Sequence, residues 1–315
     1  MQVRIIRKYD VATDICAFEL ARPDGSALPA ASAGAHIDVH LSDGLVRQYS
    51  LCNHPDDTNR YKIGVLREAN SRGGSVAMHA LSEGSLLEIS EPKNHFPLAQ
   101  AASHSLLLAG GIGVTPILGM AEHLATSGAS FEMHYCTRDP ARAAFREQLA
   151  EARFGSRVYL YFDSAPADER VNLRALLAAP EPGKHLYVCG PSGFIGAVLD
   201  TAIAAGWDER NVHREYFAAV LQHEAASDDF QVKLAISGQV IDVKGGQSVI
   251  AALTAAGVEV PTSCEQGVCG TCLTRVLSGV PNHRDVYLTD EERSANDCFL
   301  PCCSRSNSPM LVLDL

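Results

Sequence analysis

Three cysteines spaced C-x4-C-x2-C, namely Cys264, Cys269 and Cys272, followed by Cys302 after 29 intervening residues, constrain this chain more than any other feature. One tight loop and one distant return segment together offer four thiolates, the plant-type arrangement for a [2Fe-2S] cluster. Gly267 and Gly270 within the loop let the backbone come close and turn several N–H groups inward, where hydrogen bonds to sulfur stabilise the more negative reduced state. Four thiolates also suit tetrahedral zinc, but zinc folds more often present two close cysteine pairs, and here three ligands share one loop. Cys298 and Cys303 compete with Cys302 for the fourth place. Spacing favours Cys302, and the other two read as packed or spare.

The chain has ten cysteines, and its first residues, MQVRIIRKYD, lack the apolar core of a secretory signal; metal binding or catalysis fits better than a disulfide framework. No apolar run approaches the length that spans a bilayer, and the strongest is broken by Gly110 and Gly111, so a soluble, cytoplasmic chain with no membrane contact is expected. A formal charge of −11 removes the electrostatic footprint of a nucleic-acid-binding protein.

At 315 residues two or three compact units are expected. Up to about residue 89, short β-prone runs (15–20, 35–41, 46–51, 61–65, 86–89) alternate with turns such as Pro23-Asp24-Gly25 and Asp43-Gly44, which reads as an antiparallel barrel or sandwich with one helix after Ser75. From Ser105 strands (105–109, 131–136, 158–162, 185–189) alternate with helices (115–124, 141–151, 172–178, and one ending at 205), the pattern of a parallel sheet covered on both faces. After a polar, alanine-rich connector at 218–229 come a hairpin around Ser237-Gly238-Gln239, a short helix at 248–256, the cysteine loop and a last strand at 310–313. Domains near 1–102, 103–224 and 225–315 follow.

In the middle domain, Gly110, Gly111, Gly113, Thr115 and Pro116 make a glycine-rich turn between a buried strand and a helix, where phosphates approach free N–H groups and the positive helix end. Pro116 is tolerated near a helix start. A plain strand-to-helix connection also uses such glycines. Cys189-Gly190-Pro191 forms a second turn at a strand end, so Cys189 either lines the nicotinamide pocket or packs in the core. Arg138 and Asp139, after the second strand, face the adenosine side: Asp139 disfavours a 2′-phosphate and leans the choice to NADH, whereas Arg138 favours the phosphate. Arg47, Tyr49 and Ser50 sit at a strand end, suited to a flavin phosphate, ring and heteroatom respectively. Arg67, Arg72, Gly73, Gly74 and Ser75 offer a second phosphate grip.

Over essentially its whole length the chain resembles the phthalate dioxygenase reductase family, including the reductase subunits of vanillate demethylases. The resemblance rests on R-x-Y-S (Arg47–Ser50), G-G-S (Gly73–Ser75), G-G-I-G-V-T-P (Gly110–Pro116), C-G-P (Cys189–Pro191) and the four cysteines. It implies an FMN-binding antiparallel β-barrel, an NAD-binding α/β domain and a C-terminal β-grasp plant-type ferredoxin domain. It further implies FMN rather than FAD, Phe217 bordering the flavin, and a Rieske-type non-haem iron oxygenase of aromatic catabolism as the acceptor. Ser50, Cys189 and Glu215 are the candidate groups along the hydride path from NADH. A reductase for another monooxygenase, or a ferredoxin-like carrier without NADH oxidation, stays open at this level.

Overall fold

The computed structural model describes residues 1–69, 71, 73–217 and 229–315, so Arg72 and nearly all of the 218–229 connector lie outside it. Strands β1 (Gln2–Ala12), β2 (Ile15–Ala21), β3 (His36–His40), β4 (Val46–Ser50), β5 (Tyr61–Leu66) and β6 (Leu86–Ile89) pair antiparallel in the order β4-β3-β6-β1-β2-β5. A bridge between Leu51 and Ile63, with Cys52 N–H donating to Lys62 O at 2.9 Å, joins the two edge strands. The sheet is therefore a closed barrel, which removes unpaired edges. Val3, Phe18, Ile37 and Ile63 fill its interior, and α1 (Gly74–Ala80) sends Met78 into the same core.

Strands β7 (His104–Gly110), β8 (Phe131–Thr137), β9 (Val158–Phe162), β10 (Lys184–Cys189) and β11 (Val212–Glu215) form a parallel sheet in the order β11-β10-β7-β8-β9. Helices α2 (Val114–Ser127), α3 (Arg146–Glu151), α4 (Leu173–Leu176) and α5 (Ser192–Ala204) connect them. Two helices are shorter than the sequence pattern predicts. The 141–151 helix begins only at Arg146, because Asp139 caps a separate turn at 140–142 and Phe145, at φ 60°, turns its ring into the core. The 172–178 helix ends at Leu176, and the carbonyl of the fully buried Leu177 accepts from Trp207 Nε1 at 2.9 Å.

The barrel and this sheet make one compact unit, Met1–Glu215. Ile15, Ala17 and Cys52 of the barrel pack in the same cluster as Leu107, Ile117 and Tyr187. This shared burial holds the two sheets at a common seam.

The second unit, Tyr216–Leu315, contains β12 (Phe230–Leu234), β13 (Val240–Val243), β14 (Thr274–Ser278), β15 (Pro281–Asn282), β16 (Cys298–Phe299), β17 (Arg305–Ser306) and β18 (Met310–Leu313), with α6 (Val249–Ala255) and α7 (Asp290–Ala295). The larger sheet runs β13-β12-β18-β14-β16, with β12 and β18 parallel at its centre. A hairpin, a helix and a central parallel pair make the β-grasp arrangement. Val249, Ala252 and Leu253 of α6 close its core over Val232 and Leu311. Among the described residues no helix is long and apolar enough to cross a membrane.

Candidate functional site

The two glycine turns of the first unit meet at the carboxyl ends of neighbouring strands β7 and β10. A Cβ on Gly113 would fall 2.3 Å from Cys189 O, and one on Gly190 would fall 2.9 Å from Gly110 Cα, so backbone packs on backbone there. Gly111, at φ 53°, turns the chain between strand and helix. Neither α2 nor α5, which starts after Pro191, has a side-chain N-cap, and their first-turn N–H groups suit phosphate or carboxamide oxygens. Thr115 is different: its hydroxyl donates to Ile112 O at 3.1 Å and its methyl fills the space beside Gly64, while Pro116 is buried in the first turn.

At the same strand ends the register pairs Cys189 with Glu215, and the Cys189 thiol points at Glu215 Oε2 from 3.9 Å. Ser50, buried at the end of β4, also hydrogen-bonds the Glu215 carboxyl. Burial pushes this carboxyl up to about 8, against the lowering effect of the Ser50 and Cys189 bonds. Burial, then the nearby Glu215, pushes the Cys189 thiol well above its ordinary range. At neutral pH Glu215 is thus mostly protonated, held by a hydroxyl from the barrel and a thiol from the parallel sheet. The three residues named from sequence for the hydride path stand together at the seam.

Arg47 runs along the start of α1. A Cβ on Gly74 would sit 2.5 Å from Arg47 Cγ and Nε, and Gly73 takes φ 90°, a conformation suited to glycine. Glycine at position 74 lets the Arg47 side chain lie against the start of α1, where Nη1 donates to Val46 O at 2.8 Å and the guanidinium charge suits a phosphate ester. Tyr49 is half-buried, and burial raises its phenol. Ser75 is less available than its position in the sequence implies: its hydroxyl accepts from Glu68 N–H at 3.1 Å and donates to Ser71 Oγ at 3.0 Å. Arg67 is exposed.

The Asp139 carboxylate accepts from Ala141 and Arg142 N–H at 3.0 and 3.2 Å, with Arg142 Nε at 3.9 Å. Its charge is partly committed to this turn, while Arg138 beside it is exposed. Phe217 belongs to the second unit and is 38% exposed.

In the second unit the loop after α6 takes positive φ at Glu265 (53°), Gly267 (71°) and Gly270 (70°), which folds it tightly around its cysteines. Their thiols form two hydrogen-bonded pairs, Cys264 with Cys269 and Cys272 with Cys302. The bond from Cys264 lowers Cys269 below the ordinary thiol range and raises Cys264 in return. Thiols standing in two pairs suit two irons with two cysteine ligands each.

Polar groups surround these sulfurs. Gln266 N–H donates to Cys264 Sγ at 3.4 Å, the Cys269 thiol donates to Thr271 Oγ1 at 3.2 Å, and Gly267 N–H is directed at Cys302. Cys303 lies beside Cys302, and its Sγ would be 2.4 Å from a Cβ on Gly267. Gln266 and Thr271 escape sequence reading because only the loop's curvature turns them to sulfur.

Residues 232–307 match the model of the 2Fe-2S iron-sulfur cluster binding domain, and residues 90–212 match that of the N-terminal domain of dimethylamine monooxygenase subunit DmmA-like proteins. Vanillate O-demethylase oxidoreductase of Pseudomonas putida is 54% identical over 313 residues, 99% of this chain and 98% of that protein. Phthalate dioxygenase reductase of Burkholderia cepacia is 38% identical, over 100% of this chain and 97% of its own length. A solved phthalate dioxygenase reductase, described as a modular structure for electron transfer from pyridine nucleotides to [2Fe-2S], superposes with a TM-score of 0.80 at 38% identity, covering 100% of this chain and 98% of that one. With its whole length so matched, and with the barrel, parallel sheet and cysteine loop in the same order, the chain belongs to the phthalate dioxygenase reductase family of oxidoreductases, which carry FMN, NADH and [2Fe-2S] sites.

Proposed function

We propose that this chain is the cytoplasmic NADH-dependent reductase component of a two-component system whose acceptor is a Rieske-type non-haem iron oxygenase, acting on an aromatic compound by dioxygenation or O-demethylation. The supporting observation is the meeting of Ser50, Cys189 and Glu215 at the seam, in a chain that also carries two cysteine pairs on one loop and its return segment. When bound, FMN and the cluster supply the conversion of a two-electron donor's equivalents into single electrons.

The chain's own residues do the rest. The open N–H groups after Gly110 and Gly190 hold the nucleotide so that its nicotinamide lies beside Cys189. Arg47 and Gly74 hold the flavin phosphate, and Tyr49 flanks the ring. Glu215 keeps its carboxyl proton between Ser50 and Cys189, and its burial limits the access of water. Cys264, Cys269, Cys272 and Cys302 hold the irons. In this reading the division is 1–102 for flavin, 103–224 for nucleotide and 225–315 for the cluster.

The test is anaerobic addition of NADH to the holoprotein, followed by mixing with candidate oxygenase components. Bleaching of flavin and cluster bands, then reduction of a Rieske centre, is expected. Cluster bands that do not respond to NADH indicate a carrier, and transfer only to another type of monooxygenase replaces the proposed acceptor.

A further inference from the structure

One buried carboxylate in the second unit joins three segments around the cysteine loop. The Asp285 side chain is 0% exposed; Oδ2 accepts from Leu288 N–H at 2.9 Å and Oδ1 from Ser304 Oγ at 3.3 Å. Arg293 Nη2 of α7 donates to Asp285 O at 2.7 Å and lies 3.9 Å from Oδ2, and His283 Nδ1 lies 3.7 Å from Oδ1. Ser304 is two residues beyond Cys302, so this contact holds the return segment.

The same residue presses on the loop. A Cβ on Gly267 would fall 2.9 Å from Asp285 Cα and 3.0 Å from its Cβ, and the next residue, Val286, donates its N–H to Gly267 O at 3.0 Å. Gly267 in turn directs its own N–H at the Cys302 sulfur. Donor and acceptor of this amide-to-sulfur contact therefore come from segments that meet at Asp285.

We infer that Asp285 is a positioning residue for the [2Fe-2S] cluster, setting the Gly267 N–H against the Cys302 sulfur and thereby the ease with which the cluster is reduced. This rests on the four-cysteine ligand set proposed above. Amide hydrogen bonds to cluster sulfur stabilise the reduced state, so slackening this one lowers the potential. Loss of a nearby negative charge acts in the opposite direction, raising it. The sign of the shift separates positioning from simple charge.

The experiment is spectroelectrochemical titration of the full-length holoprotein, with the reduced-state electron paramagnetic resonance spectrum, for Asp285→Ala, Asp285→Asn and Ser304→Ala. Asp285→Ala is expected to keep its iron and sulfide but to be about tenfold harder to reduce, which for one electron is about 59 mV more negative. Asp285→Asn keeps the shape and an acceptor oxygen and should stay at or above the native potential. Ser304→Ala, which removes the Asp285 bond to the return segment and the acceptor of Arg284 N–H at 3.1 Å, should shift the same way as Asp285→Ala by a smaller factor. Equal positive shifts in both Asp285 variants, or no shift in any variant, overturn the inference. If Asp285→Ala does not fold, Ser304→Ala decides alone: a negative shift sustains the inference and an unmoved potential ends it. Cys302→Ser is the separate control, because full retention of a normal cluster there defeats the ligand assignment itself.

Discussion

Glu215 and Cys189 form the last register pair between β11 and β10, with Cys189 Sγ 3.9 Å from Glu215 Oε2. Burial keeps this carboxyl protonated at neutral pH, moving Glu215 from 4.5 to about 8 against the lowering effect of the Ser50 and Cys189 bonds. Between those values the native state binds a proton that the unfolded chain has released. This contribution to stability is fully present below 4.5 and is lost as pH rises through about 8. Urea unfolding at acid and mildly alkaline pH should show native stability falling across this window, and Glu215→Gln should fall less. Identical pH dependence in the two proteins means that Glu215 titrates as an ordinary carboxylate.

The Arg47 side chain at the start of α1 makes a paired prediction. Arg47→Ala removes a charge-assisted contact worth about 1.5–3 kcal/mol, so FMN should be held roughly 10- to 100-fold more weakly with little change in NADH binding. Gly74→Ala leaves the charge in place but puts a methyl 2.5 Å from Arg47 Cγ, and should weaken FMN retention by displacing that side chain. Flavin release measured by fluorescence checks both. Unchanged retention in a folded Arg47→Ala protein removes Arg47 from the flavin site.

Cofactor choice is expected to favour NADH, with a modest margin. Asp139 already accepts from two backbone N–H groups and stands 3.9 Å from Arg142, so much of its charge is balanced locally. Asp139→Asn keeps an acceptor for the turn and removes the charge. The kcat/KM preference for NADH over NADPH should then shrink a few-fold, on the order of 1 kcal/mol for a partly exposed charge. A native preference for NADPH reverses the assignment and turns attention to Arg138.

Much of this architecture is legible in sequence because it depends on local periodicity. The β-prone runs at 15–20 and 61–65, set off by turns, mark strands, and the strand-to-helix text after Ser105 marks a parallel sheet. Cysteine spacing is equally local in the loop. What is not legible is set by distant contact. The barrel closes through Leu51 and Ile63, a link that no pattern of alternation specifies. Phe145 takes a left-handed conformation to bury its ring and so shortens a helix whose composition is ordinary. Thr115 and Ser75 sit in motifs that invite a ligand, yet the described contacts commit both hydroxyls to the protein itself. Asp285 stands between Arg284 and Val286, where no local pattern marks it as buried, and its enclosure depends on the return of Ser304 past the loop.

That burial also sharpens the expectation for partner docking. Residues 225–315 contain 11 acidic and six basic side chains, but Asp285 is enclosed, and Glu292 closes a capping box with Thr289 at the start of α7. Asp290, with its side chain 98% exposed, and the exposed Glu291 remain the outward charges of this run. If they steer a basic region of the acceptor, Asp290→Asn with Glu291→Gln should lower the second-order rate of electron delivery at low ionic strength and leave reduction by NADH intact. The difference should shrink as added salt brings the screening length below about 10 Å. Glu292→Ala should instead cost about 1 kcal/mol of stability through the lost cap, with a smaller effect on delivery. An unchanged delivery rate and salt dependence in the double variant assigns these two carboxylates to solvated surface and places docking elsewhere on the chain.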